Sequence, residues 1–155
     1  MLVLRPFDST DFPLMRAWAP TSGDVYLFAG SARHWPLTDA TMTSWLTAPD
    51  TRAFTAELDA DPRVPIGHIE LVSTGEGAAR IARVLLDPAQ RGRGHGKHLV
   101  TAAMDAARAT GVRRLALNVV DGNAAAIGTY RSLGFVERGR HPEHPDMTTM
   151  ETVLD

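Results

Sequence analysis

The residue types best suited to chemistry are concentrated between Asp87 and Lys97, where the chain reads Asp-Pro-Ala-Gln-Arg-Gly-Arg-Gly-His-Gly-Lys. Gly92, Gly94 and Gly96 have no Cβ, so the backbone can take φ > 0 there and lie close against a ligand. The apolar run Val84-Leu85-Leu86 just upstream reads as a strand, and the residues from His95 onward suit a helix, with Leu99, Ala103 and Ala106 on one side. A strand thus delivers the chain to a helix N-terminus, whose first amides lack intrahelical acceptors and whose dipole favours an anion. Backbone N–H groups in such a turn can cradle a pyrophosphate. Arg91, Arg93 and Lys97 add cations to this turn in a chain of formal net charge -2, so the positive charge is local. The competing explanation is a surface loop that only caps the helix.

Two well-known phosphate loops fail to match. The nucleoside triphosphate loop, Gly-x-x-x-x-Gly-Lys-Ser/Thr, would need glycine at Arg91 and a hydroxyl at His98, which leaves no ligand for magnesium. A nucleotide-binding regulator is disfavoured for the same reason. The dinucleotide fingerprint Gly-x-Gly-x-x-Gly would need glycine at Lys97 or Leu99. What remains is Arg91-x-x-Gly94-x-Gly96.

Three further groups carry reactive side chains. Asn123 and Tyr130 lie in Asn-Ala-Ala-Ala-Ile-Gly-Thr-Tyr-Arg-Ser-Leu-Gly-Phe, residues 123–135, which reads as a short helix. Their separation is about two turns, which places both on one face roughly 10 Å apart along the axis. Taken singly, Asn123 suits a helix cap and Tyr130 a core tyrosine. Glu70 alternates with apolar residues in Ile66-Gly-His-Ile-Glu-Leu71 and shares a face with His68. It is either a general base or half of a cross-strand pair with Arg80 or Arg83. His141-Pro-Glu-His144 offers two imidazoles, read as metal ligands or as the rim of an acceptor pocket or surface residues. No metal site is expected.

Arg91-x-x-Gly94-x-Gly96 resembles the pyrophosphate-binding motif of the GCN5-related N-acetyltransferases, the GNAT superfamily. The 123–135 segment resembles that family's second signature, an Asn followed by Ala, Tyr and Gly-Phe at these spacings. The joint resemblance covers residues 64 to 136. It implies that the backbone of Val84, Leu85 and Leu86 lies against the pantetheine and thioester of acetyl-CoA. Arg91, Gly92, Arg93, Gly94, His95, Gly96 and Lys97 would hold the pyrophosphate, Asn123 the cofactor arm, and Tyr130 would be the general acid beside the sulfur.

The implied activity is transfer of an acetyl group to a primary amine of a small molecule, directly, in a ternary complex. Such transfer needs a neutral amine, a donor for the developing oxyanion and a proton for the departing thiolate. A backbone amide near Leu85 or Leu86 suits the oxyanion, and a phenol of pKa near 10 can protonate the thiolate. Glu70 is the candidate base, directly or through water. The family's peptide-acetylating branch carries Glu where this chain has Asn118, and an amide cannot accept the amine proton, which points away from a protein N-terminus. Two alternatives remain: a non-catalytic acyl-CoA sensor using the same turn, and acetylation of a protein or peptide amine. Dimers are common among proteins resembling this one, so a homodimer is an expectation carried by resemblance alone.

The elements that must position these residues fit a single domain over residues 1–155, a mixed α/β arrangement with a mostly antiparallel sheet, flanking helices and one parallel βαβ crossover. Predicted strands are Leu2 to Arg5, Arg52 to Leu58, Pro65 to Val72, Ala79 to Leu86, Arg114 to Val119, Phe135 to Gly139 and Thr148 to Leu154. Predicted helices are Thr10 to Trp18, Thr38 to Leu46, His95 to Gly111 and Ala124 to Leu133. Residues 19–36 read as irregular, with Tyr26, Phe28, His34 and Trp35 either lining an acceptor pocket or packing a loop on the core. Forty-four per cent (44%) hydrophobic and 22% charged residues describe an ordinary globular chain, with no reason to expect a nucleic-acid or membrane partner. The absence of cysteine removes disulfides and any cysteinyl intermediate. A soluble cytoplasmic protein is the expectation.

Overall fold

The computed structural model describes residues 2–155. Its strands are β1 (Leu2–Pro6), β2 (Thr51–Leu58), β3 (Val64–Gly75), β4 (Ala78–Leu86), β5 (Arg114–Val120), β6 (Val136–Arg140) and β7 (Met147–Val153). The helices are α1 (Phe12–Trp18), α2 (Ser22–Ala29), α3 (Asp39–Leu46), α4 (His95–Ala109) and α5 (Ala124–Ser132). All the strands join one sheet in the order β1-β2-β3-β4-β5-β7-β6. β4 and β5 run parallel and every other neighbouring pair antiparallel. The fold class is the mixed α/β arrangement expected. No helix among the described residues is long and apolar enough to cross a membrane.

Alternation along the strands sends apolar side chains to both faces of the sheet. On one face Ile69, Leu71, Ile81, Leu115 and Leu117 pack with Leu99, Val100, Ala103 and Ala107 of α4 and with Tyr130 and Phe135. Leu99 is completely buried, which stabilises the fold by about 2 kcal/mol relative to an exposed side chain. On the other face Phe7, Phe12, Met15, Trp18, Val25, Phe28, Met42 and Trp45 form a second cluster that seats α1, α2 and α3.

Two expectations are corrected. Residues 19–36 are not irregular: they contain α2 and a single turn of 3-10 helix, Ala32–His34. Thr21 and Asp24 form a reciprocal capping box at the start of α2, and Gly30, with φ 76°, ends it in the left-handed conformation. Pro20 and Gly23 masked that helix in the sequence, although the Thr-x-x-Asp cap was present. The β4–α4–β5 unit is also not the sole crossover. β5 and β6 are both antiparallel to β7, so α5 joins two co-directional strands with β7 inserted between them.

The sheet opens where the site lies. β4 and β5 are paired only from Ala78 to Ile81 against Arg114 to Leu117, and beyond these residues the two strands lose their ladder. Just past that point β4 bulges: His68 faces Leu85 and Glu70 faces Ala82, so two steps on β3 oppose three on β4. Arg83 sits in the bulge with φ 47°, a left-handed conformation that costs a non-glycine residue about 1 kcal/mol.

Candidate active site

Two cavities meet at this opening. One, of about 480 Å³, is lined by Val84, Leu85 and Leu86 of β4, by Arg91, Gly92, Gly94, Gly96 and Lys97 of the turn, and by Asn123 and Tyr130 of α5. The other, of about 450 Å³, has Arg80, Arg83 and Asn118 of the sheet, Arg33 and His34 of the 3-10 turn, and His141 and His144 of the β6–β7 loop among its walls. Val84, Asn123, Ala126 and Tyr130 line both.

The first cavity gathers most of the residues expected to bind a cofactor. Val84, Leu85, Leu86, Arg91, Gly92, Gly94, Gly96, Lys97 and Asn123 are in its wall, whereas Arg93 and His95 are not. Gly94 caps α4 with φ 81°, and a Cβ built on Gly92, Gly94 or Gly96 would meet no protein atom within 4 Å. The turn therefore presents bare backbone and the free amides of a helix start to open space. Arg91 is steadied by a hydrogen bond from its Nη2 to the Leu86 carbonyl at 3.3 Å. Bare amides, two cations against the single carboxylate of Asp24, and an apolar wall suit a ligand with a phosphate end and a long neutral arm, as coenzyme A has.

Asn123 caps α5: its Oδ1 accepts from the Ala126 amide at 3.3 Å, which leaves the side-chain N–H groups for a ligand. Tyr130 packs its ring edgewise on Phe135, 5.8 Å between centroids, and is only 6% exposed. Burial pushes its phenol up to about 12. The hydroxyl stays protonated through the neutral range and can act as a donor but not as a base.

Glu70 forms the cross-strand pair with Arg83, one of the two arrangements expected of it. It is wholly buried and lines neither cavity. Its Oε2 lies 2.7 Å from His68 Nε2, and its Oε1 accepts from Arg83 Nη1 at 2.8 Å. The cross-strand pair with Arg83 is the arrangement the molecule adopts. Phe7 packs edgewise against His68 at 4.6 Å, and the Arg83 guanidinium lies over the Trp45 ring at 4.5 Å. Glu70 thus acts on the second cavity by fixing Arg83. Asn118 Oδ1 accepts from the Thr149 hydroxyl at 2.7 Å.

No local sequence pattern marks Arg33 or Arg80 as a cavity residue, although both line the second cavity. Arg80 lies at Ala116's level on the sheet, with its ladder partner on the parallel strand, and only the β4–β5 separation turns that face into a cavity wall. His34 packs edgewise on Trp45 at 5.5 Å, and burial together with the charges of Arg83 and Arg33 holds it below the usual histidine range. Of the aromatic residues in 19–36, Phe28 and His34 line the second cavity, while Trp35 is exposed and donates its indole N–H to the Pro20 carbonyl. His141 and His144 stand 4.8 Å apart on the cavity rim, and no group of three metal-ligating residues occurs among the described residues.

The site thus combines a strand-to-helix glycine turn beside a splayed parallel pair with a tyrosine at the meeting of two cavities. The profile of the Acetyltransferase (GNAT) family matches residues 15–135, and the chain belongs to that family. An L-methionine sulfoximine/L-methionine sulfone acetyltransferase of Pseudomonas paraeruginosa is 38% identical over 73 residues, 43% of this chain and 42% of that protein. Less than half the length of that relative is therefore matched. Among solved structures, a domain from Methanocaldococcus jannaschii superposes with a TM-score of 0.79 at 16% identity, over 99% of both chains. Spermidine N-acetyltransferase from Vibrio cholerae, in complex with CoA and spermine, does so with a TM-score of 0.77 at 20% identity, over 98% of this chain and 95% of that one. At these identities the structures establish the shared fold.

Proposed function

We propose that this protein is an N-acetyltransferase that takes its acetyl group from acetyl-CoA and passes it directly to a primary amine of a small molecule. The observation that carries this reading is Tyr130, a buried phenol in the common wall of a phosphate-suited cavity and a second, polar one. The first cavity receives the coenzyme, with its pyrophosphate on the amides and cations of residues 91–97. The second receives the amine. The relatives' named activities, on methionine sulfoximine or sulfone and on spermidine, support a small amine as acceptor.

Acetyl-CoA supplies an activated acyl group and a thiolate leaving group, and the chain's own residues handle charge and protons. A backbone N–H near Leu85 or Leu86, just beyond the bulge, would serve the developing oxyanion. The Tyr130 hydroxyl donates its proton to the departing sulfur. The proton leaving the amine needs an acceptor on the other side, and His34, an imidazole in the wall of that cavity, is the base proposed there, whereas Glu70 lines neither cavity. No residue becomes covalently acylated.

Calorimetry of purified protein with coenzyme A, followed by thiol release from acetyl-CoA in the presence of a panel of amines, tests the reading. Uptake of coenzyme A together with amine-dependent thiol release is expected. Uptake without release from any amine would favour a sensor, and no uptake would end the proposal.

A further inference from the structure

The charge of the second cavity is one-sided. Arg33, Arg80 and Arg83 are in its wall together with His34, His141 and His144, and no Asp or Glu lines it. Glu70 compensates Arg83 from behind. Three guanidinium charges against one carboxylate leave an excess of two positive charges before any histidine is protonated. Arg80 is half-buried, and the charged groups that act on it are Arg83, which repels, and Glu70, which is already bonded to Arg83 and His68. Its guanidinium has no hydrogen-bond or ion-pair partner among the described residues, although its backbone is in the sheet. Burial and the Arg83 charge weigh against its protonated form, and an anion brought into the cavity would offset both.

We infer that the acceptor is an amine that carries its own oxyanion, an α-amino acid or close analogue, with its carboxylate held by Arg80 and Arg33 and its amino group turned toward Tyr130. A planar guanidinium is matched to a carboxylate, which it can grip through two parallel N–H bonds. A polyamine, all cations and no anion, meets only repulsion in such a cavity. This inference rests on the acetyltransferase reading for the direction of the amine, but the charge preference itself is a binding property and can be measured without turnover.

The test uses the whole protein saturated with coenzyme A, titrated calorimetrically with a panel of common L-amino acids, their primary amides, and spermidine. The same compounds are then offered with acetyl-CoA. At least one amino acid should bind ten-fold or more tightly than its amide, and spermidine should not bind. Thiol release should follow the same order. Amidation lowers the basicity of the amine and so supplies more neutral nucleophile at pH 7, so a preference for the acid cannot come from nucleophile supply. Arg80→Gln should bring acid and amide within about three-fold of each other by lowering the affinity of the acid alone, Arg80→Lys should restore part of the gap, and Arg33→Gln should narrow it less. Equal binding of acid and amide by the unaltered protein, binding of spermidine, or binding of no member of the panel would overturn the inference. Discrimination in binding with no thiol release from any amine would instead overturn acetyl transfer and leave the anion site standing.

Discussion

The two cavities that share Tyr130 are built on different principles. The side proposed for the cofactor is made mainly from one continuous stretch, a strand end, a glycine turn and the first turn of a helix, whose useful groups are backbone amides. The side proposed for the acceptor is assembled from residues of α2 and the 3-10 turn, β4, β5, α5 and the β6–β7 loop, which meet where the sheet opens between β4 and β5. A backbone site tolerates any side chain that leaves the turn intact, and it recognises what many relatives share. A side-chain site changes its preference with one substitution, which is why the shared cofactor chemistry does not name the acceptor.

The largest expected effect breaks the comparison at the shared wall. Tyr130→Phe keeps the ring on Phe135 and removes only the proton donor, so kcat should fall about 10³-fold while the affinity for coenzyme A changes less than three-fold. Steady-state kinetics and calorimetry on the same preparation check this, and an unchanged kcat would remove Tyr130 from the chemistry.

Next is the support beneath the acceptor side. Glu70→Ala leaves His68 and Arg83 without their buried partner and should cost about 3 kcal/mol of stability in a denaturant titration, as loss of one member of a buried ion pair typically does. Coenzyme A affinity, corrected for the folded fraction, should stay within two-fold. A drop in cofactor affinity as large as the drop in acceptor affinity would mean the two sides are not separately built.

Gly94→Ala makes the reverse cut. The left-handed backbone at Gly94 costs an alanine about 1 kcal/mol, and its Cβ would project toward the ligand rather than into protein. Coenzyme A should bind about ten-fold more weakly, with the acid-over-amide preference of the acceptor side intact.

The smallest effects are those of pH. His34 is held below its ordinary value, so it remains a neutral base as pH falls through 6.5, and the acid limb of kcat should lie below that point and vanish in His34→Gln. Loss of kcat centred above pH 6.5 on the acid side would assign the proton elsewhere. Away from both cavities, Asp11 gives a control. Burial pushes its carboxyl up, but Arg5's paired hydrogen bonds, the Asp8 amide and the Thr55 hydroxyl together hold it below the usual range. A depressed carboxyl contributes stability that is complete above its unfolded value and lost as pH falls through the folded one. Asp11→Asn should therefore flatten the stability profile below about pH 4 without touching kcat.

Much of this molecule was legible along the chain because its signals are local. The turn from Asp87 to Lys97, the helix that follows with its buried stripe from Leu99 to Ala107, and the Asn123 cap two turns before Tyr130 each depend on residues within a few positions of one another. Glycine spacing and helical periodicity are properties of the covalent chain, so they survive in one dimension. Helix α2 is as local as these, but Pro20 and Gly23, both poor helix formers, obscure its Thr21–Asp24 capping box.

What only the tertiary structure decided is everything that depends on register. A bulge at Arg83, which no residue type announces, accompanies the contacts of that side chain with Glu70 and Trp45, so that the carboxylate is buried behind a guanidinium. The parting of β4 from β5 then brings Arg80 into one cavity with His34 and His141, residues separated by most of the chain's length. Sequence spacing sets which side chains share a face of one element. Which faces meet, and whether water or a neighbour fills the space between them, is set by strand pairing and packing across the whole fold.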